Sequence, residues 1–105
     1  MRCQKLFEKG CIGGVEIRNR VAMTAMGNGL ASWDGEVSLE LIRFYEDRAR
    51  GGCGLIFTEF TRMDETSGAC NPNQLCIATR KHIRSTERVR CHGARIFVQL
   101  YHGGR

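Results

Sequence analysis

The sequence has little proline and no long apolar run. It contains one proline in 105 residues, and no segment approaches the roughly 18–20 consecutive apolar residues that a membrane helix needs. No apolar stretch follows Met1, so we predict no secretion signal and expect a cytoplasmic protein. Hydrophobic residues make up 42% of the chain. This composition is typical of one globular domain with a modest core, and it argues against a disordered chain.

The sequence also lacks the paired cysteines of a metal site. Six cysteines are present, but no two of them form a C-x-x-C pair, and metal sites usually contain such closely spaced ligands. Cys70 and Cys76 have only His82 near them. Without a secretion signal, reduced thiols are expected in place of disulfides. We therefore predict neither a zinc site nor an iron–sulfur site in this chain.

Charge of one sign is concentrated in a single segment. The net charge is +5, and the basic residues gather between positions 80 and 95: Arg80, Lys81, Arg84, Arg88, Arg90 and Arg95. Such a cluster could attract phosphate-rich partners, but a solvated helix face is the commoner explanation. Neither interleaved aromatic residues nor a known nucleic-acid motif accompanies the cluster. A basic nucleic-acid-binding module is therefore the least favoured alternative, and we predict no nucleic-acid partner.

Three apolar runs and two helical segments alternate along the chain. A hairpin that turns at Gly13-Gly14 is predicted first. Ser38 is a good N-cap for the first helix, and Gly51-Gly52 is a good stop. The apolar stripe of this helix consists of Leu41, Ile42, Tyr45 and Ala49. The predicted strands are residues 21–26, 53–60 and 96–100, the predicted helices are residues 39–50 and 82–92, and residues 61–81 form a long loop. The second helix has a poor apolar stripe, with Ile83 and Val89 as its only aliphatic residues.

This order predicts an α/β fold with parallel strands, either an open doubly wound sheet or a (β/α)8 barrel. No G-x-G-x-x-G follows the first strand, which disfavours a dinucleotide-binding open sheet. Polar residues stand near the carboxyl ends of all three strands, namely Thr24, Glu59 and Gln99. This placement favours a barrel, because barrel enzymes gather their ligand sites at that end. The residues alone leave Gln99 equally explained as a ligand contact or as a core amide bonded to backbone.

Three blocks of the sequence resemble one family. Residues 19–26, NRVAMTAM, resemble the N-R-[IV]-x-M-A-P-M segment of Old Yellow Enzyme-type flavin oxidoreductases. Residues 45–59, YEDRARGGCGLIFTE, resemble the Y-x-x-R-A-x-G-G-x-G-L-I-[IV]-x-E run of that family. Residues 93–105, GARIFVQLYHGGR, are similar to its G-[AS]-[KR]-[IL]-x-x-Q-L-x-H-x-G-R run. The blocks keep the order and spacing of the family, and the nearest branch is that of 2,4-dienoyl-CoA reductase and enoate reductase.

The resemblance implies a partial TIM (β/α)8 barrel, made of the N-terminal hairpin, the first three parallel strands and two helices. It also implies that residues 1–105 are the N-terminal portion of an FMN-binding oxidoreductase domain. It implies that NADH or NADPH reduces FMN, which then passes hydride to an activated C=C bond of a small unsaturated carbonyl substrate. The implied cofactor contacts are Thr24, Ala25, Met26, Gly27, Phe60 and Gln99. His102 and Arg105 are assigned to the substrate side or the rim. For Glu59 we favour a structural role, with bonding to nearby backbone, over catalysis. Catalytic residues, and any 4Fe-4S cluster, are expected only in a longer form.

The chain departs from the family pattern at several positions. Ala25 replaces a proline, Gly27 replaces a threonine or cysteine, and Phe60 is bulkier than the usual residue. A complete barrel needs roughly 250 residues, so three strands leave two exposed sheet edges that could pair with other chains. A truncated, inactive family member without flavin binding of its own is therefore the alternative hypothesis.

Overall fold

The computed structural model describes residues 2–63, 73–77 and 82–103. The predicted hairpin is confirmed: β1 (Gly10–Ile12) pairs antiparallel with β2 (Val15–Ile17). Ile12 and Val15 are directly opposite each other, so Gly13 and Gly14 alone form the turn. Gly13 has φ of +58°, a conformation that glycine adopts without steric cost. A 3₁₀ turn, Gln4–Phe7, precedes the hairpin.

Three parallel strands form the main sheet, in the order β3, β4, β5. They are β3 (Ala22–Met23), β4 (Leu55–Arg62) and β5 (Arg95–Tyr101). All three predicted strands exist, but β3 ends three residues earlier than predicted and β4 lies two residues further along the chain. Within the described residues the sheet is open, as a partial (β/α)8 barrel should be.

The predicted first strand, residues 21–26, is shortened because its second half leaves the ladder. Ala22 and Met23 pair with Leu55 and Ile56 of β4. Further on, a side chain replaces the backbone ladder, since the Glu59 carboxylate accepts a hydrogen bond from the Asn28 N–H at 3.1 Å. The segment after Met23 is therefore a loop attached to β4, and it is not a continued strand.

The first helix has the bounds that its sequence predicts. α1 spans Leu39–Arg50, and the Ser38 side chain accepts from the Leu41 N–H at its N-terminus. Its buried residues are Leu41, Tyr45 and Ala49, which share one face at the i, i+4 spacing of a helix. This face packs on Ile56 in the centre of the sheet.

The second helix, α2 (His82–Arg90), ends two residues earlier than predicted, and Gly93 at φ of +86° completes the turn that follows. Its buried face consists of Ser85 and Val89, while the Ile83 side chain lies outside the described residues. A buried serine four residues before a single valine explains the weak apolar signal. Val89 joins Ala94 and the α1 residues in one hydrophobic core.

One arginine links the hairpin to the ends of both helices. Arg18 follows β2, and its guanidinium donates to the backbone carbonyls of His92, Ala49 and Cys53, the last at 2.8 Å. These carbonyls belong to the segments that close α2 and α1, where unpaired C=O groups carry partial negative charge. The hairpin therefore covers the end of the sheet opposite to the carboxyl ends of the strands, where the sequence predicts the site.

The closing strand is less buried than predicted. We expected residues 96–100 to be covered on both faces, and this is wrong: Phe97, Gln99 and Leu100 are exposed, while Ile96 and Val98 are half-buried. The helices cover one face of β5, and nothing among the described residues covers the other. Apolar strands in this fold are covered fully only when the barrel closes.

Most of the predicted long loop, residues 64–72 and 78–81, lies outside the described residues, as do Arg80 and Lys81 of the basic cluster. Of the described part, Thr61 and Arg62 belong to β4 and not to a loop. Residues 73–77 run beside the end of β4, where the Arg62 N–H donates to the Leu75 carbonyl at 2.9 Å. The five described cysteines are free thiols. Within the described ranges, no helix has the length and hydrophobicity to cross a membrane.

Candidate functional site

The carboxyl ends of β3, β4 and β5 meet at one edge of the sheet, because the strands are parallel. Residues 24–27 follow β3 directly. Phe60 lies near the end of β4 and is paired in register with Gln99 of β5. The predicted contacts from three separate segments are therefore brought to the same edge.

Exposure differs among these residues. Thr24, Met26, Gly27 and Gln99 are exposed, and Ala25 and Phe60 are half-buried. His102 follows β5 and is exposed as well, whereas Arg105 lies outside the described residues. Met26 keeps 54% of its surface accessible. The edge therefore presents apolar and amide groups to the outside, as a surface that contacts a ligand would.

A bulge in β4 sets the positions of the polar residues. Phe57 pairs with Phe97 and Phe60 pairs with Gln99, so two residues of β4, Thr58 and Glu59, face the single Val98 of β5. The Thr58 hydroxyl accepts from the Gln99 N–H at 3.4 Å across the bulge. An extra residue in one strand changes the side to which later side chains point. This irregularity, which the sequence does not reveal, positions Glu59 and Phe60.

Phe60 takes up the space that a side chain at position 27 would need. A Cβ atom built on Gly27 would lie 2.4 Å from Cε1 and 2.9 Å from Cζ of the Phe60 ring. The Phe60 ring also contacts Tyr101, with ring centroids 5.2 Å apart. The small residue at 27 and the large residue at 60, both departures from the family pattern, are therefore in direct contact with each other.

Glu59 is buried behind this edge, with 1% of its surface exposed. Its carboxylate accepts the Asn28 N–H at 3.1 Å, which confirms the prediction that it bonds to nearby backbone. Burial raises the pKa of Glu59, and hydrogen bonds from the backbone at Asn28, Leu75 and Gly29 partly oppose that rise. The carboxylate fixes the loop that carries Gly27.

Tyr45 contributes to the site although sequence reasoning assigned it only to the apolar stripe of the first helix. Its hydroxyl accepts the Glu59 N–H at 2.8 Å, which satisfies a backbone donor at the bulge. Burial is also the main cause of a raised pKa of Tyr45. A tyrosine in a buried stripe was the available signal, since its hydroxyl needs a partner. Tyr45 thereby joins α1 to the part of β4 that positions Phe60.

The hydrogen-bonding groups at this edge can match the pyrimidine edge of a flavin, where C=O and N–H groups alternate. The exposed carboxamide of Gln99 offers an acceptor and two donors, which suits such an edge. The apolar surface of Ala25, Met26 and Phe60 beside it suits the flat ring system. The residues present therefore fit the ring portion of FMN.

The fold is that of the first part of a (β/α)8 barrel, open here across three parallel strands. The family model for the NADH:flavin oxidoreductase / NADH oxidase family matches residues 5–105. The chain belongs to that family.

Three similar proteins illustrate the relationship. An NADH oxidase of Thermoanaerobacter brockii is 42% identical over 95% of this chain and 16% of its own length. A cinnamate reductase of Clostridium sporogenes is 37% identical over 93% of this chain and 16% of its own. The solved structure of the old yellow enzyme from Trypanosoma cruzi matches with a TM-score of 0.85 and 28% identity, over 100% of this chain and 29% of that one. The chain thus spans about one sixth of the length of these two curated relatives.

Proposed function

We propose that residues 1–105 form the first part of the FMN site of an NAD(P)H-dependent oxidoreductase domain that reduces activated C=C bonds. The observation that carries this proposal is the exposed Gln99 amide, which lies beside Phe60 at the edge where the strand ends meet. Membership of the flavin oxidoreductase family supports the cofactor. The cinnamate reductase among the relatives supports an unsaturated carbonyl compound as substrate, such as an enone, an enoate or an enoyl-CoA.

Each segment has a separate task in this proposal. Bound FMN would supply hydride transfer between NAD(P)H and the alkene, which is the chemistry of the cofactor. Gln99 orients the ring through its amide. Thr24, Ala25, Met26 and Gly27 lie along the ring, and Phe60 contacts it beside them. His102 belongs to the rim or to the substrate side.

Two observations bear on whether residues 1–105 bind FMN without further strands. Leu100 and Met26 are 59% and 54% exposed, and Phe97 is exposed although it stacks on Phe57. Large exposed apolar side chains on β5 and on the loop after β3 are typical of surfaces that further strands would cover. An inactive chain that binds no flavin by itself is therefore the second candidate, and pairing of such chains through their sheet edges belongs with it. A 4Fe-4S cluster belongs only to a longer form.

The test is a titration of FMN with the wild-type chain, followed by visible absorbance and by quenching of flavin fluorescence. Gln99→Ala should weaken binding about tenfold, because a hydrogen bond from a neutral amide contributes about 0.5–1.5 kcal/mol. Gln4→Ala is the matched control, since Gln4 is also exposed but lies in the 3₁₀ turn before the hairpin. Equal affinity of all three chains would refute the role of Gln99. A wild-type chain that binds no FMN would favour the second candidate.

A further inference from the structure

Three potential metal ligands converge where the turn after α2 meets α1. They are the Glu46 carboxylate of α1 and the Cys91 thiol and His92 imidazole that follow α2. One ligand atom from each residue lies within 4.8 Å of the other two. Cysteine spacing along the chain does not reveal this cluster, because Glu46 is 46 residues before His92. The cluster therefore differs from the prediction of no metal site.

The backbone that carries these ligands is well fixed. The Cys91 N–H donates to the Glu87 carbonyl at 2.9 Å, and the Gly93 N–H donates to the Arg90 carbonyl at 2.9 Å. The His92 carbonyl accepts from Arg18. Tyr45 and Ala49, the buried residues on either side of Glu46 along the helix, hold α1 against the same core. The ligands are therefore organised before any ion binds.

We propose that Glu46, Cys91 and His92 form a binding site for a divalent cation of the zinc type. Thiolate, imidazole and carboxylate are the ligands that zinc takes in proteins. Zinc–ligand bonds of about 2.0–2.3 Å place tetrahedral ligand atoms about 3.3–3.8 Å apart, so a closure of about 1 Å completes the site. Water would occupy the fourth position, on the open side of the exposed Cys91.

Two features of the local charge favour a cation. The carbonyl ends of α2 carry partial negative charge next to Cys91 and His92. Glu46 Oε1 also lies 3.1 Å from His92 Nε2, so these two ligand groups already face each other. On binding, the Cys91 thiol gives its proton to solvent, and the thiolate adds a second negative charge.

Two arginines compete for the same carboxylate. Arg50 and Arg88 approach Glu46 Oε1 at 3.7 and 3.9 Å. Both arginine side chains are more than half exposed, although that of Glu46 is only 12% exposed, and solvent around the two guanidiniums weakens the pairs. Both guanidiniums can turn into solvent when a cation takes their place. The site should therefore have micromolar affinity, below that of a structural zinc site.

The experiment uses the reduced wild-type chain and Co²⁺, whose thiolate charge-transfer absorption reports a sulfur ligand directly. Wild type should give a saturable band with one equivalent of Co²⁺, and Zn²⁺ should displace it. Cys91→Ser should abolish the band, and Glu46→Gln should weaken Co²⁺ binding at least tenfold. Circular dichroism of each variant verifies that the helices are retained.

Cys11→Ser is the matched control. The Cys11 thiol is exposed and donates to a backbone carbonyl, that of Gly13 at 3.0 Å, as Cys91 donates to Arg88 at 3.1 Å. The band should survive unchanged in this variant. A band that persists in Cys91→Ser, or one that Cys11→Ser also removes, would overturn the assignment. So would the absence of saturable binding at about 100 μM Co²⁺. None of these results depends on flavin binding.

Discussion

Gly27→Ala should destabilise the chain, and Phe60 should be the reason. An added Cβ atom would lie 2.4 Å from Cε1 of Phe60, whereas carbon atoms pack at about 3.5–4.0 Å. The ring must therefore move by about 1 Å, and its contact with Tyr101 restricts where it can go. Gly27 is not among the glycines with positive φ, so alanine suits its backbone and the effect is purely steric.

The size of the effect follows from two opposing contributions. Overpacking of this kind costs about 1–3 kcal/mol. Replacing glycine by alanine at a compatible φ stabilises the folded state by about 0.4–1 kcal/mol, because it lowers the conformational entropy of the unfolded chain. We therefore expect a net loss of about 0.5–2 kcal/mol in the free energy of unfolding. In a Phe60→Ala background the clash is absent, and Gly27→Ala should become neutral or stabilising.

The assay is urea unfolding of wild type, both single variants and the double variant, followed by far-ultraviolet circular dichroism. Trp33 is 85% exposed and is a poor fluorescence reporter. Gly14→Ala is the control, since a Cβ there meets nothing within 4 Å and should change stability by less than about 0.5 kcal/mol. If Gly27→Ala costs the same with and without the Phe60 ring, within about 0.5 kcal/mol, the steric reasoning is refuted.

Three further predictions concern the groups that support the strand ends. Burial raises the pKa of Glu59 above its ordinary value of 4.5. The contribution of Glu59 to stability is therefore full below that ordinary value and is lost as pH rises through the folded-state pKa. Glu59→Gln should remove this pH dependence from urea midpoints measured from pH 4 to 8, and parallel curves for the wild type and the variant would contradict this prediction. Tyr45→Phe leaves the buried Glu59 N–H without its acceptor, so the free energy of unfolding should fall by about 1–3 kcal/mol. An unchanged free energy of unfolding would show that water replaces the hydroxyl. Arg18→Lys keeps the charge but cannot bind three carbonyls in a fork, so the thermal midpoint should fall, and an unchanged midpoint would show that the arginine contacts contribute nothing.

The helix and strand order could be predicted because local signals agree with the final packing. In α1 the cap at Ser38, the stripe through Leu41 and Tyr45 and the stop at Gly51 all point to the same bounds. α2 gave a weaker signal, since a buried serine contributes to its packed face. The shortening of β3 and the open face of β5 could not be predicted, because both depend on which strands lie alongside.

The candidate site was predictable in its placement but not in its internal contacts. Strand-end positions follow from parallel topology alone, so Thr24, Phe60 and Gln99 could be brought together from the sequence. The bulge at Thr58 and the contact of Phe60 with position 27 depend on three-dimensional register, which no local pattern records. The Glu46 cluster was missed for a related reason: its members come from α1 and from the turn that follows α2.

Arg18 also has a consequence for the order in which the chain folds. Its three acceptors lie 31, 35 and 74 residues further along the chain. During synthesis from the N-terminus, the first two become available with the end of α1, and the third only after α2 has been made. Until then Arg18 can bind only the two carbonyls near the end of α1. The entropy of closing the longest loop, from Arg18 to His92, is lost only when the third hydrogen bond forms. The full set of Arg18 hydrogen bonds therefore forms late, and it couples the completion of the second βα unit to the docking of the N-terminal hairpin.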